Sequence, residues 1–144
     1  MKDRPFVGVW LDHRGAWLFW ANEQAEIQTQ RVESEYQEEN EPTDLAPGGN
    51  PYTYGAAVTH ASVERRRKQQ LHHYYKKLDE VLRPARHIFL FGPGQAKREL
   101  MRVLEEDKNL RGRVQAVENA DKKVTQAQMA ARVREFFKLR RAGA

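Results

Sequence analysis

Cysteine is absent from the 144 residues, which excludes disulfides and thiolate metal sites. Long apolar runs are absent as well. No stretch approaches the roughly 20 residues that cross a bilayer, and Met1, Lys2, Asp3, Arg4 and Pro5 contain no apolar core for a cleavable leader. A cytoplasmic location without membrane contact is therefore expected. No internal repeat or low-complexity tract is visible. Proline and glycine are few and unevenly spread: Pro42, Pro47, Gly48, Gly49, Pro51 and Gly55 gather between residues 34 and 60, where neither a helical nor a strand period is found. That stretch reads as a long loop, a length that in compact domains marks a functional or disordered segment.

What is present describes a folded chain. Hydrophobic residues make up 40% and charged residues 31%, a globular balance, and the length suits one domain over residues 1–144. Val7, Val9 and Leu11 alternate with Phe6, Gly8 and Trp10, the period of a strand. Asp12, His13, Arg14 and Gly15 form a turn, residues 16–20 return as a second strand, and residues 27–32 make a weaker third. After the loop, a helix is predicted over residues 62–82. Its second half carries Leu71, Tyr74, Tyr75, Leu78, Val81 and Leu82 on one stripe. Its first half has little apolar surface beyond Val63 and is expected to extend past the body of the domain.

Residues 88–91 are continuously apolar, as in a strand buried on both faces. Gly92, Pro93, Gly94 and Gln95 turn the chain into a helix that runs to about Glu106 and buries Leu100, Val103 and Leu104. Residues 114–117 form another strand. Thr125 then caps a last helix with Gln128 three residues on and Val124 placed to staple against Met129. That helix buries Met129, Val133, Phe136 and Phe137 and ends in the cations Lys138, Arg140 and Arg141. The order β-β-β-α-β-α-β-α predicts an α/β fold, a mixed sheet of about five strands with helices packed on it.

Charge is segregated along this order. The net charge is +5, which favours polyanionic partners. Glu33, Glu35, Glu38, Glu39, Glu41 and Asp44 form an acidic stretch, and Arg65, Arg66, Arg67 and Lys68 open the long helix with four consecutive cations. On a helix, Arg65, Lys68 or Gln69, His72 and Lys76 fall on one stripe, with Arg66, His73 and Lys77 beside it. Lysine and arginine meet phosphates, and His72, His73, Tyr74 and Tyr75 add hydrogen bonds or stacking, so RNA shape is a better match than DNA sequence.

Other chemistry is weaker. The Gly92–Pro93–Gly94 turn occupies a position where helix N–H groups hold anions, but Pro93 removes a donor and no lysine–threonine pair follows, which fits a tight turn better. Asp12 ends a strand as metal-binding carboxylates do in ribonuclease-H-type nucleases. Glu118 and Asp121 are its candidate companions, fewer than such an enzyme requires. The histidines at 13, 60, 72, 73 and 87 make no metal set, and no serine or threonine has a base nearby in sequence. No metal, cofactor or catalytic group is expected.

Three blocks resemble the middle domain of the archaeo-eukaryotic peptide-chain release factors and Pelota, in a compact bacterial form. Val9, Trp10, Leu11 and Asp12 with Gly15 and Ala16 are similar to its opening hairpin. Arg65, Arg66, Arg67, Lys68, His72, His73, Tyr74, Lys76, Lys77 and Leu78 are similar to its long basic helix. Phe89, Leu90, Phe91, Gly92, Pro93 and Gly94, with Lys97, Glu99 and Leu100, are similar to the following strand, turn and helix. The resemblance implies a ribonuclease-H-like topology and a role on the ribosome, in rescue or hibernation, with rRNA or tRNA as partner. Arg65, Arg66, Arg67, Lys68, His72, Lys76 and Lys77 would carry the RNA contact.

In the release factors a Gly-Gly-Gln tip before the long helix promotes peptidyl-tRNA hydrolysis. Here Ala56, Ala57 and Val58 hold the corresponding place, and the nearest echo is the loop tip Gly48, Gly49 and Asn50. The resemblance therefore implies a non-catalytic factor, as in Pelota, and no codon-reading or GTPase-recruiting domain is expected. Two alternatives stand beside it: a metal-dependent nuclease using Asp12, and a protein–protein module or homodimer whose acidic loop pairs with a neighbour's basic helix.

Overall fold

The computed structural model describes residues 3–36 and 60–140, apart from the side chain of His60. The elements run β1 (Phe6–Leu11), β2 (Gly15–Ala21), β3 (Ile27–Glu33), α1 (His60–Leu82), β4 (His87–Gly92), α2 (Ala96–Glu106), β5 (Val114–Asn119) and α3 (Gln126–Phe137). This is the expected order, with ends displaced by no more than two residues, the usual uncertainty of a fraying terminus. Most of the expected loop, with the Gly48, Gly49 and Asn50 tip and Ala56, Ala57 and Val58, lies outside the described residues.

One five-stranded sheet has the order β3-β2-β1-β4-β5. β1 pairs antiparallel with β2, and β2 with β3. β1 pairs parallel with β4, and β4 with β5. The mixed α/β sheet of the sequence reading is thus observed. The three inner strands, β2, β1 and β4, are buried along almost their whole length, whereas the edge strands β3 and β5 are largely exposed or half covered.

The two faces of β1 feed two cores. Val7, Val9 and Leu11 join Leu18, Trp20, Ile88 and Leu90 beneath Tyr74, Leu78 and Leu82 of α1 and Leu100 and Leu104 of α2. On the other face Trp10, Phe19, Phe89 and Phe91 meet Met129 and Val133 of α3. α3 lies so close to β1 that a Cβ on Gly8 would fall 2.1 Å from a Val133 methyl. Val103, Phe136 and Phe137, expected to be buried, are only half covered. Each borders its helix's apolar stripe, and Phe136 completes a ring stack at 4.0 Å on Phe89.

The start of α3 follows its sequence signal. Thr125 Oγ1 accepts from the Gln128 N–H at 3.1 Å, and the Gln128 side chain accepts from the Thr125 N–H at 2.9 Å. Each bond satisfies an end donor that the helix itself leaves open. Thr125→Ala is expected to cost about 1 kcal/mol, seen as a lower urea midpoint with an unchanged denaturant slope.

Candidate nucleic-acid interface

α1 is divided lengthwise and around its circumference. Tyr74, Tyr75, Leu78 and Leu82 are buried against the sheet. Before Leu71, Val63 is the one buried residue among the described side chains. Among the described residues, Tyr36, which is itself buried after β3, lies against these first three turns.

At 100° per residue, Arg65, Gln69, His72 and Lys76 align on the side opposite the core, with Arg66 and His73 next to them and Lys68 on the other flank. Arg65, Arg66, Lys68, His72, His73 and Lys76 are all exposed and make no ion pair among the described residues. The line from Arg65 to Lys76 is ~16 Å long at the helical rise. Lys68, Gln69, His72, His73 and Lys76 border one shallow surface depression.

Two of the sequence candidates stand apart. Arg67 falls on the side of Tyr74 and Leu78. Its side chain is 23% exposed and its guanidinium pairs with Glu64 at 2.8 Å and lies 5.8 Å from the centre of the Tyr36 ring. Lys77 is half-buried, and its ammonium donates to the Glu33 carbonyl at 3.2 Å, tying α1 to the end of β3. Four consecutive cations are indistinguishable along the chain; helical rotation sends the third inward.

Beneath this surface, polar side chains join the elements. Asp12 Oδ1 accepts from the N–H groups of Arg14 and Gly15, at 2.9 and 3.1 Å, and so closes the β1–β2 turn. The Tyr74 hydroxyl donates to the Asp12 carbonyl at 3.1 Å. The Tyr75 hydroxyl donates to Glu99 Oε1 at 2.5 Å, and His13 Nε2 meets the same oxygen at 3.0 Å. Burial raises the Tyr74 phenol far above its ordinary value, helped by the Asp12 charge. Burial also raises Tyr75, helped by its hydrogen bond to Glu99. Both hydroxyls are thus held as neutral donors that tie α1 to the β1–β2 turn and to α2. The His13–Glu99–Tyr75 contact joins three elements far apart in sequence, and no local pattern marks it.

The Gly92–Pro93–Gly94 turn is braced from within. Lys97 is 2% exposed, and its ammonium donates to the Gly94 carbonyl at 2.6 Å. Burial, and then the Arg98 charge, lower its pKa.

The carboxylates proposed for a nuclease do not converge. Asp12 is engaged in its turn, and Glu118 pairs with Arg132 of α3 at 2.8 Å. Asp121 is exposed, and its carbonyl accepts from the Trp10 indole at 3.3 Å. Among the described residues no group of three or more histidine, aspartate or glutamate side chains is placed to hold a metal ion.

No protein-family model matches the sequence, and no curated protein matches it. Solved structures do match. The chain is similar to the crystal structure of an archaeal translation termination factor, aRF1, with a TM-score of 0.51 at 17% identity, over 92% of this chain and 39% of that one. It is also similar to the Pelota protein of Thermoplasma acidophilum, with a TM-score of 0.50 at 18% identity, over 94% of this chain and 34% of that one. The chain thus spans little more than a third of the length of each. At such identities the likeness concerns architecture alone: this chain has the fold of a release-factor- and Pelota-like domain.

Proposed function

We propose that the chain is a non-catalytic, RNA-binding domain that works on the ribosome in the cytoplasm, in rescue or hibernation. The observation that carries this reading is the row Arg65, Arg66, Lys68, His72 and Lys76, exposed on α1 without a carboxylate partner among the described residues. Surface cations are usually interleaved with acids, and exposed cations on a helix that close no ion pair suit a ribose-phosphate backbone, as counterion release then favours binding. The fold is shared with two proteins, one of them named for translation termination. That kinship makes ribosomal RNA or tRNA the preferred polyphosphate. No described helix is long and apolar enough to cross a membrane.

The test is co-sedimentation with ribosomes over a salt series. The protein is expected in the ribosomal pellet at 50 mM salt and in the supernatant at 300 mM. The logarithm of its affinity for a short single-stranded RNA should fall with log salt at a slope of about −3, the value for about four neutralised phosphates. Absence from the pellet at the lowest salt would sink the proposal.

A further inference from the structure

Asp79 of α1 and Asp107, the residue that closes α2, bring two carboxylates face to face on the seam between the helices. Asp79 is 4% exposed. One oxygen of each group, Asp79 Oδ1 and Asp107 Oδ2, is buried and has no hydrogen-bond partner among the described residues. The second Asp107 oxygen accepts from the Asn109 N–H at 2.8 Å. The second Asp79 oxygen has the Arg83 guanidinium at 3.7 Å, and the same guanidinium stands 3.7 Å from Asp107 Oδ2. Charge-assisted hydrogen bonds are about 1 Å shorter than that, so Arg83 moderates the charge without satisfying either orphan oxygen. The pair lies at the floor of a cleft of about 440 Å³ that His72 and Lys76 line from α1 and Glu106 from α2. Glu106 adds a third negative charge from the α2 side, against Lys76 and Arg83.

Two neighbouring carboxylates, each with one covered and unpartnered oxygen, do not both ionise at low cost. A proton on Asp79 Oδ1 donated to Asp107 Oδ2 satisfies both orphan atoms at once. We propose that Asp79 and Asp107 share one proton across the α1–α2 seam, and that loss of this proton with rising pH loosens the seam. The inference is independent of what α1 binds.

The direction of the pH dependence follows from the surroundings. Burial, and then the Asp107 partner, push the Asp79 carboxyl up to about 6. The Asn109 N–H, and then Asp79, hold Asp107 below the ordinary carboxylate range. The folded chain therefore holds the Asp79 proton more tightly than the unfolded chain does. The stabilisation is fully present below the unfolded value near pH 4 and is lost as the pH rises through 6. Asp107, whose folded-state value is lowered, is ionised in both states above about pH 5 and adds no slope there.

The experiment compares the wild type with Asp79→Asn by thermal unfolding between pH 4.5 and 7.5. The carboxamide offers Asp107 Oδ2 an N–H at every pH. The midpoint difference, variant minus wild type, should rise by roughly 5 °C across the series, with amides of the second half of α1 exchanging more slowly in the variant at pH 7.5. Parallel midpoint curves would overturn the proposal. A carboxyl carbon titration of Asp79 in the wild-type protein by NMR decides the matter whether or not the variant folds. A midpoint near 6 supports the shared proton, and one below 4.5 rejects it.

Discussion

Gly92→Ala is expected to lower the unfolding midpoint by 15 °C or more and to leave little folded protein at 37 °C. Gly92 closes β4 at the place where β4 passes between β1 and β5, and its φ is +144°, a region side chains rarely enter. A Cβ there would lie 2.3 Å from the Leu11 carbonyl oxygen and 3.2 Å from the Leu11 nitrogen. Both are backbone atoms of the central strand, so no rotamer change relieves the overlap. A dihedral penalty of about 1–3 kcal/mol adds to an overpacking penalty of about the same size, against a total stability of only about 5–15 kcal/mol for a domain. Gly94→Ala is the comparison with a positive φ and no clash. Gly94 has φ +65°, but a Cβ there meets nothing within 4 Å, and the loss should be about 1–2 kcal/mol. Equal losses for the two variants in urea would show that the approach to Leu11 is not what fixes the turn.

The second large effect concerns binding. Replacing Arg65, Arg66 and Lys68 together with glutamate changes each charge by two, taking the net charge from +5 to −1. Affinity for single-stranded RNA and for ribosomes at 100 mM salt is expected to fall by about a thousandfold or more, as attractive charges become repulsive ones and counterion release is lost. Stability should stay within about 0.5 kcal/mol per site, because these side chains are exposed and pair with no described carboxylate. Arg67→Glu separates position from charge. It removes the same charge but breaks the pair with Glu64 and the contact over Tyr36, so it should weaken folding more than RNA binding. If Arg67→Glu reduces binding as much as Arg65→Glu, the division of α1 into two sides has no functional meaning.

That division separates what neighbouring residues encode from what distant segments impose. The basic run, the Tyr74–Leu78–Leu82 stripe and the end of the helix before Pro84 are local signals, carried by residues one to four apart, and all reappear in α1. Which of the four cations faces outward depends on the phase of the helix against the sheet, which the apolar stripe fixes only to within a residue or two. The stripe predicted the solvent side of Arg65, His72 and Lys76. It did not mark Arg67, because the first half of α1 has too few apolar residues to set a phase of its own. Its inward side becomes visible only once Tyr36 arrives from the far end of β3.

By itself the sequence determined the order and type of every described element, the glycine- and proline-bounded turns, the Thr125 cap and the concentration of cations at the start of α1. These depend on backbone dihedrals and short-range periodicity, which neighbouring residues carry. The tertiary structure alone decided what lies between distant segments. Parallel pairing sets β1 beside β4, and α1 and α2 on one side and α3 on the other cover both faces of β1. Packing also brings Glu99 to Tyr75 and His13, and Asp107 to Asp79. Such pairs form because close packing of two helices on one sheet leaves each side chain a single neighbour to meet, and nothing in the local chain records which neighbour that is.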